Sequence, residues 1–131
     1  MQYIPQAEPF VMIDDIIEST ATITRTKFEI RPEHLFVENG FFTEPGLIEN
    51  MAQTAAAGTG KRALETNTTP PVGFIGAIKN LKIEALPQVG QIIETQVAFL
   101  NQVMQVHVVQ GEVFCDDKLI ASAEFKIFLQ Q

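Results

Sequence analysis

The spacing of apolar and polar positions changes character twice along the chain. From Phe10 to Ile30 it is short-period: "FVMIDDIIES" is an apolar run broken by Asp14 and Asp15, and "ATITRTKFEI" sets Ile23, Arg25, Lys27 and Glu29 among threonines and Phe28. That β-branched and aromatic content predicts two strands. Pro32 closes this part, and Glu33 to Thr43 carries Asn39-Gly40 at its centre, a turn signal that belongs in a loop. The period then lengthens. After Glu44-Pro45-Gly46, the residues Leu47, Ile48, Met51, Ala52, Ala55 and Ala56 recur at helical spacing. A proline at a first helical position loses no intrahelical bond, so the segment predicts a helix start followed by a mostly buried helix. Glu49 and Gln53, four apart, fall on its narrower polar face, and Gly58 and Gly60 weaken its later turns before Lys61, Arg62 and Ala63.

Beyond the "TNTTPP" break, Thr66 to Pro71, the pattern returns to strand. "VGFIGAIKNLKIEAL" runs to a turn at Pro87 to Gly90; "QIIETQVAFLNQVMQVHVVQGEVFC" and "KLIASAEFKIFL" follow, with Asp116-Asp117 as a hairpin tip. No repeat, low-complexity tract or linker interrupts residues 1–131, which predicts a single domain. Two strands, one long buried helix and a run of antiparallel strands make an α+β arrangement with the helix packed on one sheet.

Composition narrows the function classes. With 46% hydrophobic and 19% charged residues the chain is globular, and at 131 residues its core needs no metal or disulfide to fold. The net charge of −7 repels phosphate backbones and anionic lipid, which argues against nucleic-acid or membrane partners. Lys61, Arg62, Lys79, Lys82 and Lys126 are the positions that could gather into a local patch for an acidic partner. Cys115 is the single cysteine, so no intrachain disulfide forms. The N-terminus has neither a basic n-region nor an unbroken apolar stretch, and the expectation is a soluble, cytoplasmic protein.

The candidate chemistry concentrates between His34 and Gln53. Glu49 in the first turn of a helix complements the macrodipole, but its apolar neighbours Leu47, Ile48, Met51 and Ala52 suit a poorly solvated pocket, where a carboxyl tends towards its proton-donating form. His34 on the preceding loop is a turn residue if solvated and a general base if it faces that carboxyl. Gly46 stands at the helix start, where backbone N–H groups and the positive dipole end can polarise a carbonyl oxygen. Base, acid and amide clamp are the equipment for removing a proton from one carbon and a hydroxyl from the next. His107, in "MQVHVVQ", reads as a strand residue on the face away from Met104, Val106 and Val108, and Cys115 as a free thiol beside the hairpin tip. Neither a metal motif, a glycine-rich phosphate loop nor a G-x-S-x-G elbow is present, and no metal or cofactor is expected.

"EPFVMIDDIIE", "HLFVENGFFTEPGLIENMAQ", "GFIGAIKNLKIEALPQVGQIIE" and "GEVFCDDKLIASAEFKIFL" together resemble, in order and across nearly the whole chain, the hot-dog-fold β-hydroxyacyl-(acyl carrier protein) dehydratases. The nearest likeness is to dehydratase-like proteins of aryl polyene and flexirubin-type pigment pathways. The resemblance implies a long helix wrapped by an antiparallel sheet, edge-to-edge pairing into a homodimer or dimer-based oligomer, and an acyl tunnel along that interface. It matches the family's catalytic histidine to His34 and its catalytic carboxylate to Glu49, with Gln53 as the following glutamine, the two catalytic groups facing each other from different subunits. It also implies an acyl carrier protein or coenzyme A thioester as substrate, with no cofactor. This chain departs from the family's pattern on the loop: Leu35-Phe36 follows the histidine in place of Phe-Pro, and the His34 to Glu49 spacing is one residue wider. The oxyanion donor is accordingly Gly46 first and Gly40 second. A hot-dog thioesterase using Glu49, and a non-catalytic acyl-binding or heterodimer subunit, are the competing readings.

Overall fold

The computed structural model describes residues 4, 10–69 and 72–130. Eight strands and one helix follow in the order β1 (Asp15–Ser19), β2 (Ile23–Glu29), β3 (Val37–Glu38), β4 (Phe41–Phe42), α1 (Glu44–Glu65), β5 (Val72–Ile83), β6 (Ile92–Val103), β7 (Val106–Cys115) and β8 (Lys118–Gln130). Six strands form one antiparallel sheet in the order β1-β2-β6-β7-β8-β5, and β3 and β4 form a separate small hairpin. The helix lies against one face of the large sheet, which is the α+β arrangement expected.

Alternation along the strands puts one set of side chains under the helix. Phe28, Ile93, Val97, Val109, Val113, Ala121, Ala123 and Phe125 are buried there with Leu47 and Met51 of α1. Small residues at the centre set the approach distance: Gly111 and Ala123 are cross-strand partners, and a Cβ on Gly111 would lie 2.8 Å from Met51 Sδ. Gly58 packs as tightly on Thr24, which is why the helix runs through its glycines to Glu65.

The buried stripe of α1 is rotated from the one the apolar spacing predicts. Asn50, Gln53 and Thr54 are fully buried, while Ile48, Ala52, Ala55 and Ala56 are only half-buried. Each of these polar groups has a partner far away in sequence. Asn50 Nδ2 donates to Met12 O at 2.7 Å, Thr95 Oγ1 donates to Asn50 Oδ1, and the Thr26 and Thr54 hydroxyls meet at 2.8 Å. Gln53 Oε1 accepts from Met12 N at 2.7 Å and its Nε2 donates to Phe10 O at 2.8 Å. Buried and satisfied, these side chains bind the helix to β2 and β6 and to an extended segment ahead of β1. That segment accounts for the late start of the first strand, since Phe10 and Met12 commit backbone groups to Gln53 and Asn50 rather than to a ladder.

Two further expectations change. The stretch Glu33 to Thr43 is not all loop: Asn39 (φ 52°) and Gly40 (φ 82°) make the tip of the β3–β4 hairpin, the left-handed pair that a two-residue turn demands. The long run from Gln91 to Cys115 is two strands, folded back at Met104-Gln105, with Met104 at φ 57° and 88% exposed. The Asp116-Asp117 tip is as predicted, both residues having positive φ.

Candidate active site

The His34 loop is held from three sides. His34 N–H closes a turn on Arg31 O at 3.2 Å, and Arg31 is anchored to Asp14 by a 2.9 Å ion pair that raises the guanidinium pKa. Val37 N–H then closes a second turn on His34 O at 3.1 Å. Finally, Phe36 O accepts both the Thr43 N–H at 2.9 Å and the Thr43 hydroxyl at 2.8 Å. Thr43 precedes the first residue of α1, so its side chain ties the loop to the helix start instead of capping the helix.

His34 itself sits in an aromatic cage. Its ring meets Phe28 and Phe42 edge-on, with centroids at 5.4 and 5.6 Å, and lies 6.2 Å from Phe36. Its Nδ1 accepts the Phe36 N–H at 3.2 Å, while its Nε2 is buried and has no hydrogen-bond partner among the described residues. An imidazole nitrogen kept from water without a partner is a costly arrangement for a purely structural residue.

Gly46 is the third residue of α1, with its N–H in the first turn where intrahelical acceptors are lacking. A Cβ there would stand 2.6 Å from Phe42 Cζ and 3.0 Å from Phe36 Cβ. Phe42 thus packs against both Gly46 and the His34 ring, linking these two sequence candidates through one buried side chain. Gln53 Nε2 reaches Glu49 Oε1 at 3.2 Å, joining the other two candidates one helical turn apart. Gly40 lies apart from both pairs. It is exposed at the β3–β4 tip, where its carbonyl accepts the Val89 N–H at 2.9 Å and pins the hairpin to the Pro87–Gly90 turn.

His107 lies opposite Val106 and Val108 as expected, but its face is the inner one, shared with Val109, Gly111 and Val113. Met104, set by the sequence pattern on the face of Val106 and Val108, is instead at the β6–β7 turn. The ring packs edge-on with Phe99 at 5.0 Å, and burial, with Arg62 nearby, lowers its pKa. Cys115 is a buried free thiol whose pKa burial raises, with Asp116 adding to the shift, so it is a poor nucleophile. The residue that sequence reasoning misses is Phe36, whose contribution is a backbone N–H and whose only sequence signal is that it is not proline. Among the described residues no helix is long and apolar enough to cross a membrane.

The model of the ApeP-like family, described as ApeP dehydratase, matches residues 1–131. No curated protein sequence matches the chain. Among solved structures it is similar to the dehydratase heterocomplex ApeI:P from Xenorhabdus doucetiae, with a TM-score of 0.90 at 16% identity over 99% of this chain and 90% of that one. It is also similar to a point mutant of the phenylacetic acid degradation protein PaaI from Thermus thermophilus (TM-score 0.68, 17% identity, 87% of this chain and 90% of that one). A hypothetical thioesterase from Streptococcus pneumoniae, solved with coenzyme A, matches at a TM-score of 0.71 and 8% identity, over 88% of this chain and 84% of that one. The helix on its six-stranded antiparallel sheet is the hot-dog fold, and the chain belongs to the ApeP-like dehydratase family.

Proposed function

We propose that the protein reversibly dehydrates a β-hydroxyacyl thioester to the trans-2-enoyl thioester, in the synthesis of a fatty-acid or polyene chain. The observation that carries this reading is the buried, unpartnered Nε2 of His34 beside the start of a glutamate-bearing helix. His34 Nε2 takes the α-proton; the electron pair left on carbon forms the new double bond as the β-hydroxyl departs with a proton from Glu49, releasing water. A backbone N–H near Gly46 steadies the enolate oxygen as charge develops there. Gln53, bonded to Glu49, keeps that carboxyl oriented. The thioester itself acidifies the α-carbon, and no cofactor enters the scheme.

Two copies complete the site in this reading, His34 of one facing Glu49 of the other. Support comes from β5, a twelve-residue strand at the sheet edge with Phe74, Ile75, Ile78 and Leu81 exposed. An apolar edge of that length calls for a partner strand, and the heterocomplex named above makes a related second chain one form of that partner. Hydration of a crotonyl or longer enoyl thioester, followed by its loss of ultraviolet absorbance, tests the assignment. His34→Ala and Glu49→Gln should each lower the rate by about 10²–10⁴-fold; an undiminished rate in His34→Ala removes the histidine from the mechanism. The resemblance to a thioesterase solved with coenzyme A motivates a second reading, in which Glu49 serves hydrolysis. Release of free thiol that survives His34→Ala and vanishes in Glu49→Ala would favour it.

A further inference from the structure

A neutral imidazole carries one proton, and the nitrogen that accepts a hydrogen bond is the one without it. In this chain Nδ1 of His34 accepts the Phe36 N–H at 3.2 Å. The ring proton therefore sits on Nε2, the buried nitrogen that has no acceptor among the described residues of its own chain. An Nε2 that already holds a proton cannot take another from carbon until Nδ1 has become the protonated nitrogen, and Nδ1 cannot be protonated while it accepts the Phe36 amide.

We propose that the Phe36 backbone N–H is a positioning group that holds His34 in the Nε2–H form and so restrains this subunit's own base. The kinetic consequence rests on the dehydratase reading above; the tautomer does not. The restraint is a property of this loop. The turn closed by Val37 N–H on His34 O, and the two bonds from Thr43 to Phe36 O, hold the Phe36–Val37 peptide, and the Leu35–Phe36 peptide before it directs the Phe36 N–H towards the ring. A proline at position 36, the residue the wider resemblance places there, has no N–H and would leave Nδ1 free to carry the proton. The chain's departure from Phe-Pro is thus the feature that supplies the restraint.

The size of the effect follows from the bond. The net worth of a neutral hydrogen bond corresponds to about two- to tenfold in an equilibrium, so releasing it should enrich the base-ready tautomer by about that factor. The cleanest probe is an ester: Phe36→phenyllactate keeps the side chain and the Thr43 contacts and deletes only the N–H. Phe36→Leu, which keeps the N–H, is the control.

Long-range 1H–15N spectra of the histidine-labelled full-length protein should report an unprotonated Nδ1 in the unsubstituted chain and in Phe36→Leu. In the ester, the population should move towards Nδ1–H. With an enoyl thioester as substrate, kcat should rise about two- to tenfold in the ester with KM unchanged, and Phe36→Leu should show no rise. A protonated Nδ1 in the unsubstituted protein overturns the proposal outright. So does a shifted tautomer with an unchanged or lower kcat, a lower kcat meaning that Nε2–H itself works as a donor to an acyl oxygen. Absence of turnover in every variant, with the tautomer moving as stated, counts against the dehydratase reading and supports the role of Phe36.

Discussion

His34 depends on side chains that do no chemistry themselves. Phe42 is fully buried and packs on both Gly46 and the imidazole, and the absence of a side chain at Gly46 is what lets that ring sit there. In Gly46→Ala the new methyl would overlap Phe42 Cζ, so the Phe42 ring, which packs on His34, must shift. The expected cost is about 1–3 kcal/mol of stability from overpacking, read as a lower urea midpoint at constant slope, together with a fall in kcat larger than any change in KM. A second residue, Asn50, contributes through hydrogen bonds alone. Asn50→Ala strands the Met12 carbonyl and the Thr95 hydroxyl in a dry interior, and should cost about 2–4 kcal/mol at the same midpoint test. Asn50→Leu, of similar volume, should do no better, since the two orphaned groups remain.

At the level of elements, the sequence carries most of the scaffold and little of the polar core. The helix start at Glu44-Pro45-Gly46, the Asn39-Gly40 turn and the Asp116-Asp117 tip are legible because each uses residues whose backbone preferences are strong and local. Asn50, Gln53 and Thr54 are not. Periodicity reads a polar side chain as exposed, and the partners that make burial tolerable lie 28 to 45 positions away. The Met104-Gln105 reversal has no turn-forming residue to announce it, which is why the pattern runs β6 and β7 together as one stretch. In the site, His34 and Glu49 stand out by residue type, whereas the Phe36 amide is invisible to any pattern of side chains. The edge strand β5 carries the element-scale prediction. Ile78 is exposed on it, opposite the buried Phe125 of β8. If the site is assembled from two subunits across this edge, Ile78→Lys should sediment as a monomer, retain its far-ultraviolet circular dichroism and lose hydration activity. A monomer with full activity would show that one chain holds the whole site.

Across the whole molecule the charge is −7, yet the register of β5 and β8 gathers positive groups on the sheet face away from the helix. Lys79 stands opposite Glu124, Lys82 opposite Ser122, and Lys126 two positions beyond Glu124 on the same face. Lys126 lies within hydrogen-bond reach of Lys79, and that contact, reinforced by like-charge repulsion, lowers its pKa. Arg62 does not join them, because it is turned to Thr20 O at 3.0 Å. If the substrate is delivered on an acidic carrier protein, Lys79, Lys82 and Lys126, set among Glu112 and Glu124 on that face, are the groups placed to steer it. Reversing both charges, in Lys79→Glu with Lys126→Glu, should raise KM for a carrier-protein thioester several-fold at low ionic strength and leave kcat unchanged. The difference should fade at about 1 M salt, where the screening length shrinks to about 3 Å. An uncharged N-acetylcysteamine thioester should be turned over equally by both proteins at every salt concentration. If the double variant loses activity towards that small substrate as well, the lysines act on the site itself and the carrier argument fails.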